Sequence, residues 1–276
     1  MSEPLPYFLR PDGASRPLAL AHRGFSREGL ENSTAAFRAA VGLGITHLET
    51  DARATADGAV LLFHDETLDR VTDSRGRISE LSAEQVSVAK IGGREAIPLL
   101  EDILRDFPDA RLNIDVKDRH TVAPLAAVIE RGAAHERVLI TSFSDRRRRA
   151  VLKRLSRRTA SSAGIFCTAV FVLAGPFLPD RWLAKVMHDV DAVQVPVRYG
   201  PLELLTPGFL RRAKRLGLQV HVWTVNDPAD MERLLDLGVQ GRGGEGGSGG
   251  RQGVDGIVTD RADLLKDVLE KRGQWW

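Results

Sequence analysis

Three short stretches bring proton-transfer groups, carboxylates and cations into the first quarter of the chain: His22-Arg23-Gly24, Glu49-Thr50-Asp51 and His64-Asp65. On a strand, side chains two residues apart share a face, so Glu49 and Asp51 can hold one cation together while Thr50 points away. The run Leu112-Asn113-Ile114-Asp115-Val116-Lys117 alternates in the same way and puts Asp115 and Lys117 on one face. Three hard oxygen donors with no cysteine among them favour Mg2+ or Ca2+ over zinc, and leave coordination positions for water or a phosphate oxygen. Taken singly, a His-Arg-Gly or a Glu-x-Asp is as ordinary as any strand end. Together, each where a predicted strand stops, they compose a metal-assisted site acting on a phosphate, because converging strand ends are where α/β barrels keep their chemistry.

The elements that must position these groups alternate along the chain. Strand-like runs cover Leu18 to Ala21, Thr46 to Asp51, Arg111 to Lys117, Val138 to Ser142, Thr159 to Ala163, Ala192 to Val197, Gln219 to Val225 and Gly256 to Thr259. Helical patterns lie between them, at Ser33 to Gly42, Pro98 to Phe107, Thr121 to Arg131, Pro207 to Leu216 and Pro228 to Leu237, with Ser33, Thr206 and Asp227 as N-caps. Eight strands alternating with helices predict an α/β, TIM-like (β/α)8 barrel. Asp57-Gly58 has hairpin-turn chemistry and would fold His64 back toward Glu49 and Asp51. The stretch from Glu66 to Ala96 is too long for an ordinary βα loop and reads as a small insertion after the second strand region.

The chain resembles the glycerophosphodiester phosphodiesterases. The resemblance rests on Leu20-Ala21-His22-Arg23-Gly24, Glu31-Asn32-Ser33-Thr34, Glu49-Thr50-Asp51, Asp57-Gly58, His64-Asp65 with Thr67-Leu68-Asp69-Arg70, and Ile97-Pro98-Leu99-Leu100-Glu101. It continues through Asp115-Val116-Lys117, Val222-Trp223-Thr224-Val225-Asn226 and Asp255-Gly256-Ile257-Val258-Thr259-Asp260, in the family's order. It implies a TIM-like barrel that hydrolyses glycerophosphodiesters to sn-glycerol 3-phosphate and an alcohol with one divalent cation. It also implies His22 and His64 as the acid/base pair, and Glu49, Asp51 and Asp115 as metal ligands. Arg23 and Lys117 would hold the phosphate and Trp223 would lie against the glycerol end. Asp115 stands where the family usually has glutamate. In the family the 66–96 insertion covers the site and helps to choose substrates.

Chemically, the metal would bind phosphate oxygens while Arg23 and Lys117 offset the charge that grows toward the transition state. One histidine takes a proton from the attacking oxygen and the other gives one to the leaving alcohol. The sequence leaves open which is which, and whether water or the neighbouring glycerol hydroxyl attacks. Asn32 is expected to hold a site group by hydrogen bonds and Glu31 to support the site or to ligate the metal itself, with helix capping as the ordinary alternative for both. Trp223 without the resemblance reads as a core aromatic, and His221 as a satisfied interior histidine. His47, His120, His135 and His188 have no partners among the motifs.

At 276 residues, with 43% hydrophobic residues, the chain suits a single catalytic barrel domain, 1–276. A net charge of +2 is too small to argue for nucleic acid. The lone Cys167 excludes an internal disulfide. Met1 to Arg16 lacks the apolar core of a secretory signal, so a cytoplasmic protein is expected. Ile165 to Gly175 is too short to span a bilayer and reads as a buried or lipid-facing helix, leaving weak membrane-surface contact open. The basic run Arg146 to Arg149 with Lys153, Arg154, Arg157 and Arg158 is expected on the solvated face of an outer helix, opposite Val151, Leu152 and Leu155, with a helix touching anionic lipid as the alternative. The glycine-rich segment 241–253 reads as a flexible loop on the face away from the chemistry. Two rivals remain: a lysophospholipase D, with Ile165 to Phe177 as an acyl wall, and a catalytically silent phosphodiester-binding barrel.

Overall fold

Strands and helices alternate along the chain as the hydrophobic pattern requires, in a computed structural model that describes residues 5–9, 16–200, 202–237 and 253–275. In order these are β1 (Leu18–His22), α1 (Thr34–Gly42), β2 (His47–Ala54), β3 (Val60–Leu62), α2 (Ala83–Ser87), β4 (Lys90–Ile91), β5 (Glu95–Ala96), α3 (Leu100–Asp106) and β6 (Arg111–Val116). Then come α4 (Val122–Arg131), β7 (Val138–Thr141), α5 (Asp145–Leu152), β8 (Ala160–Ser161), α6 (Ile165–Ala169), α7 (Asp180–Val186), β9 (Ala192–Pro196), β10 (Arg198–Tyr199) and β11 (Leu202–Glu203). The last are α8 (Pro207–Arg215), β12 (Gln219–Trp223), α9 (Pro228–Asp236), β13 (Gly256–Thr259) and α10 (Ala262–Lys271).

Eight of the strands form one parallel sheet in the order β8-β7-β6-β2-β1-β13-β12-β9. A parallel bridge between Ser162 and Ala192 joins its two ends and closes the barrel. The expected strand Thr159 to Ala163 is the weakest, with only Ala160 and Ser161 in ladder geometry. The main core lies between strands and helices, where Ala19, Ala21, Leu48, Leu112, Ile114 and Val116 meet the helix faces. The opposite parity fills the barrel interior with Leu18, Leu20 and Val258 in one cluster and Tyr7, Leu139, Ala160 and Ala192 in another. Tyr7 comes from the N-terminal turn and stacks edge-on against His47, whose Nε2 bonds the Tyr7 carbonyl.

The three predicted caps hold: the side chains of Ser33, Thr206 and Asp227 accept from Ala36, Phe209 and Ala229 backbone N–H groups, respectively. Each such cap stabilises its helix by about 1 kcal/mol. At the Asp57-Gly58 turn β3 folds back antiparallel on β2, with Gly58 at φ +88°. The 66–96 segment carries α2 and the β4–β5 hairpin, with Leu68, Ile78, Val86, Ala89 and Ile91 packed on Leu61 and Phe63.

The basic run departs from expectation. Arg148 is fully buried, donating to Ser161 and Asp189, and Arg147 and Arg149 are half-buried. Four consecutive helical residues sweep more than a full turn, so one of them must face inward. The buried guanidinium is held by Asp145 and Asp189, leaving Arg146 as the exposed member of the four. The expected glycine-rich loop, apart from Gly253, lies outside the described residues.

Candidate active site

Register brings the predicted residues to one end of the barrel. His22 pairs with Glu49 across β1 and β2, and Asp51 pairs with Asp115 across β2 and β6. All four have the inward parity and sit toward the C-terminal ends of parallel strands, where their side chains converge. Past β1 the chain turns sharply. Gly24 adopts φ +82°, and a Cβ there would come within 2.7 Å of the Ala36 backbone, so only glycine fits. This turn aims the Arg23 N–H at Glu49 Oε2, 3.2 Å away, and sets the Arg23 guanidinium 3.1 Å from Asp51 Oδ2.

Both histidines are anchored through Nδ1. His22 Nδ1 lies 2.6 Å from Asp260 Oδ1 and His64 Nδ1 lies 2.6 Å from Asp65 Oδ1. With each Nδ1 held by a carboxylate, each Nε2 is the nitrogen left for substrate. Burial works against the imidazolium of His22, but Asp260 and Glu49 outweigh it and its pKa is raised. Asn226 donates to the other Asp260 oxygen. Arg70 donates to Asp65 and holds its carboxyl down to about 2.

The carboxylates share too few cations. Lys117 Nζ stands 2.7 Å from both Asp51 Oδ1 and Asp115 Oδ2. Burial, and then the adjacent Asp51, raises the Glu49 pKa, and burial raises that of Asp115 despite Lys117. For Asp51, burial is outweighed by Lys117 and Arg23, and its pKa is lowered. Asn32, buried at φ +58°, donates to Asp51 Oδ2 at 2.9 Å and accepts from Thr50 at 2.7 Å. Glu31 accepts from Arg23 and Arg70. Asn32 is thus tied to one of the clustered carboxylates and Glu31 to the cations beside them.

A divalent cation fits this chemistry. Asp115 Oδ1 is buried without a hydrogen-bond partner, and three carboxylates face two cationic side chains. Among the described residues no three ligands already converge on one point, because the Lys117 ammonium stands between Asp51 and Asp115. The donors Glu49, Asp51 and Asp115 are the ones that would hold the ion.

These groups form the floor of a cavity of about 640 Å³, whose walls include Phe143, Ile165, Ala169, Val172, Leu173 and Trp223. Trp223 meets Phe143 edge-on, with ring centroids 6.2 Å apart, and so belongs to the pocket as much as to the core. His221 lies deeper, buried beside Gln194, and burial pushes its pKa down to about 4.

The glycerophosphoryl diester phosphodiesterase family model matches residues 22–242. A probable glycerophosphodiester phosphodiesterase 2 of Mycobacterium tuberculosis is 43% identical over 269 residues, covering 97% of this chain and 95% of that protein. The chain belongs to the glycerophosphoryl diester phosphodiesterase family. It is an enzyme of the phosphodiester-hydrolase class, and the family in general depends on a divalent metal. A lysophospholipase D of Homo sapiens is 27% identical, over 80% of this chain and 81% of its own length. The barrel is shared with an Oleispira antarctica phosphodiesterase solved in complex with the product sn-glycerol-3-phosphate, at 21% identity, a TM-score of 0.71 and coverage of 92% of this chain and 97% of that one.

Of the ten predicted site residues, His22, Arg23, Glu49, Asp51, His64, Asp115, Lys117 and Trp223 line the cavity, and Glu31 and Asn32 bond to its lining. Three roles escaped the sequence reading. Asp260, Asn226 and Arg70 each stand in a stretch that carries the resemblance, with no task given to them there. An aspartate immediately after the last strand was the available signal for Asp260, since the last strand closes beside the first.

Proposed function

We propose that this chain hydrolyses glycerophosphodiesters, releasing sn-glycerol 3-phosphate and an alcohol, with Mg2+ or Ca2+ held by Glu49, Asp51 and Asp115. The observation that carries this reading is the pair of histidines, each anchored at Nδ1 by a carboxylate, lining one cavity with three carboxylates, Arg23 and Lys117. When bound, the cation would polarise a phosphate oxygen. Arg23 and Lys117 bind the remaining phosphate charge and neutralise what grows in the transition state. The Nε2 of one histidine accepts a proton from the attacking oxygen, and the Nε2 of the other donates one to the leaving alcohol. Asp260 and Asp65 hold the rings in that tautomer. Trp223 offers its face to the glycerol carbons.

The 66–96 segment caps the site through Arg70, which ties Glu31 and Asp65 together. The single barrel domain works on a small-molecule substrate, and no nucleic acid partner is assigned. No helix among the described residues is long and apolar enough to cross a membrane.

The assay is release of glycerol phosphate from purified protein with Mg2+, Ca2+ or EDTA, beside His22→Ala and His64→Ala. Metal-dependent release lost in both variants supports the reading; release that survives either substitution refutes the assigned roles. A second reading, lysophospholipase D activity, is favoured by the apolar wall of Phe143, Ile165, Ala169, Val172 and Leu173. Faster turnover of lysophosphatidylcholine than of glycerophosphocholine would select it.

A further inference from the structure

Of the ten large hydrophobic side chains exposed among the described residues, seven fall between Phe143 and Tyr199. Phe143, Ile165, Leu173 and Tyr199 line the catalytic cavity, while Phe166, Phe177 and Trp182 stand outside it, exposed by 64%, 87% and 52%. Phe166 lies on α6 and Phe177 just beyond the π-helical turn Val170–Ala174 that continues it, so one segment carries both together with the cavity-lining Leu173. Scattered exposed apolar residues are normal; a group continuous with a cavity mouth marks an interaction surface.

The same stretch carries the chain's positive charge. Residues 143–200 contain eleven Arg and Lys against four Asp, in a chain whose net charge is only +2. All four acids are engaged, Asp145 with Arg148, Asp180 with Arg215, Asp189 with Arg148 and Arg149, and Asp191 with Arg158. Arg146 and Lys153 are exposed and share a groove with Phe143, Ile165 and Phe166 beside the mouth. Lys185 lies 4.7 Å over the ring of Trp182.

We propose that this surface, made by α5, α6 and the turn after it, docks on an anionic phospholipid bilayer. Phe166 and Phe177 enter the interface while Arg146 and Lys153 meet headgroup phosphates, which sets the cavity mouth against the lipid. Apolar residues flanked by unopposed cations match such a surface in both terms. A second copy of the chain would bring the same positive charge to the contact and be repelled. Docking goes beyond the hydrolysis and holds for either substrate, because it is read by binding alone.

The test is co-sedimentation with vesicles of phosphatidylcholine, and of phosphatidylcholine with about a third phosphatidylglycerol, at low and high salt. The proteins are the wild type, Phe166→Ser/Phe177→Ser and Arg146→Gln/Lys153→Gln, with circular dichroism and urea midpoints confirming that each is folded whatever its substrate. The wild type is expected to sediment with the anionic vesicles and to be released by salt. The charge pair variant should bind about thirtyfold more weakly, from two basic residues at the surface, and the aromatic variant at least about tenfold more weakly. Absence of binding, equal binding to neutral vesicles, or variants that bind like the wild type would overturn the proposal. So would dimerisation of the wild type that Phe166→Ser/Phe177→Ser abolishes, which would make a second copy the occupant.

Discussion

Replacing Asn32 separates two contributions that the structure superimposes at one residue. Its side chain, 1% exposed, donates to Asp51 Oδ2 at 2.9 Å and accepts from the Thr50 hydroxyl at 2.7 Å, and its backbone sits at φ +58°. Asn32→Ala removes a bond to a buried carboxylate, about 1.5–3 kcal/mol, and strands the buried Thr50 hydroxyl, about 1–3 kcal/mol. It also places a Cβ residue less tolerant than asparagine in the left-handed region, for about 1 kcal/mol more. Asn32→Ala should therefore cost about 3–6 kcal/mol, allowing for overlap between the terms. Asn32→Gly loses the same hydrogen bonds without the steric penalty and should be less destabilising than Ala by about 1 kcal/mol. Urea unfolding of the three proteins measures both differences. Because Asp51 sits among the proposed metal ligands, kcat/KM should fall at least about tenfold in both variants. An alanine variant as stable as the glycine variant would refute the backbone argument. Variants within about 1 kcal/mol of the wild type would refute the hydrogen-bond argument as well.

His221 is buried with its pKa pushed down to about 4, so between that value and its ordinary value near 6.5 the unfolded chain binds the extra proton. Stability is complete above that window and falls as pH drops through it, by up to about 3 kcal/mol; His221→Gln should flatten this dependence in urea midpoints measured at successive pH values. Arg70→Met frees Asp65 from the contact that holds its carboxyl at about 2. The stabilisation from that contact is present above the ordinary aspartate range and lost as pH falls toward 2, so the variant should lose stability at neutral pH relative to wild type, with the two curves converging in acid. Asp115→Asn removes a charged donor beside Lys117 and should raise the metal concentration for half-maximal activity at least about tenfold, as read in a Mg2+ titration after EDTA treatment. An unchanged metal requirement would remove Asp115 from the ligand set.

The local parts of this enzyme were legible in the chain because they obey local rules. The period of two puts Glu49 with Asp51 and Asp115 with Lys117, the Asp57-Gly58 turn returns His64 toward them, and the caps at Ser33, Thr206 and Asp227 start helices where their side chains reach N–H groups. Arg148 escaped because helical periodicity assigns faces to a stripe, while four successive arginines cover every face and only the neighbouring Asp189 shows which one is inside. Closure of the barrel, through Ser162 and Ala192 at one seam and β13 beside β1 at another, is a property of register between distant strands. It carries Asp260 across 238 residues to the ring of His22, and the insertion carries Arg70 to Glu31 and Asp65. Sequence by itself determined which residues share a strand face and where the turns fall, since those depend on neighbours a few residues apart. Tertiary structure alone decided that Asp260 holds His22 and which arginine is buried, since those contacts exist only after distant segments have closed the barrel.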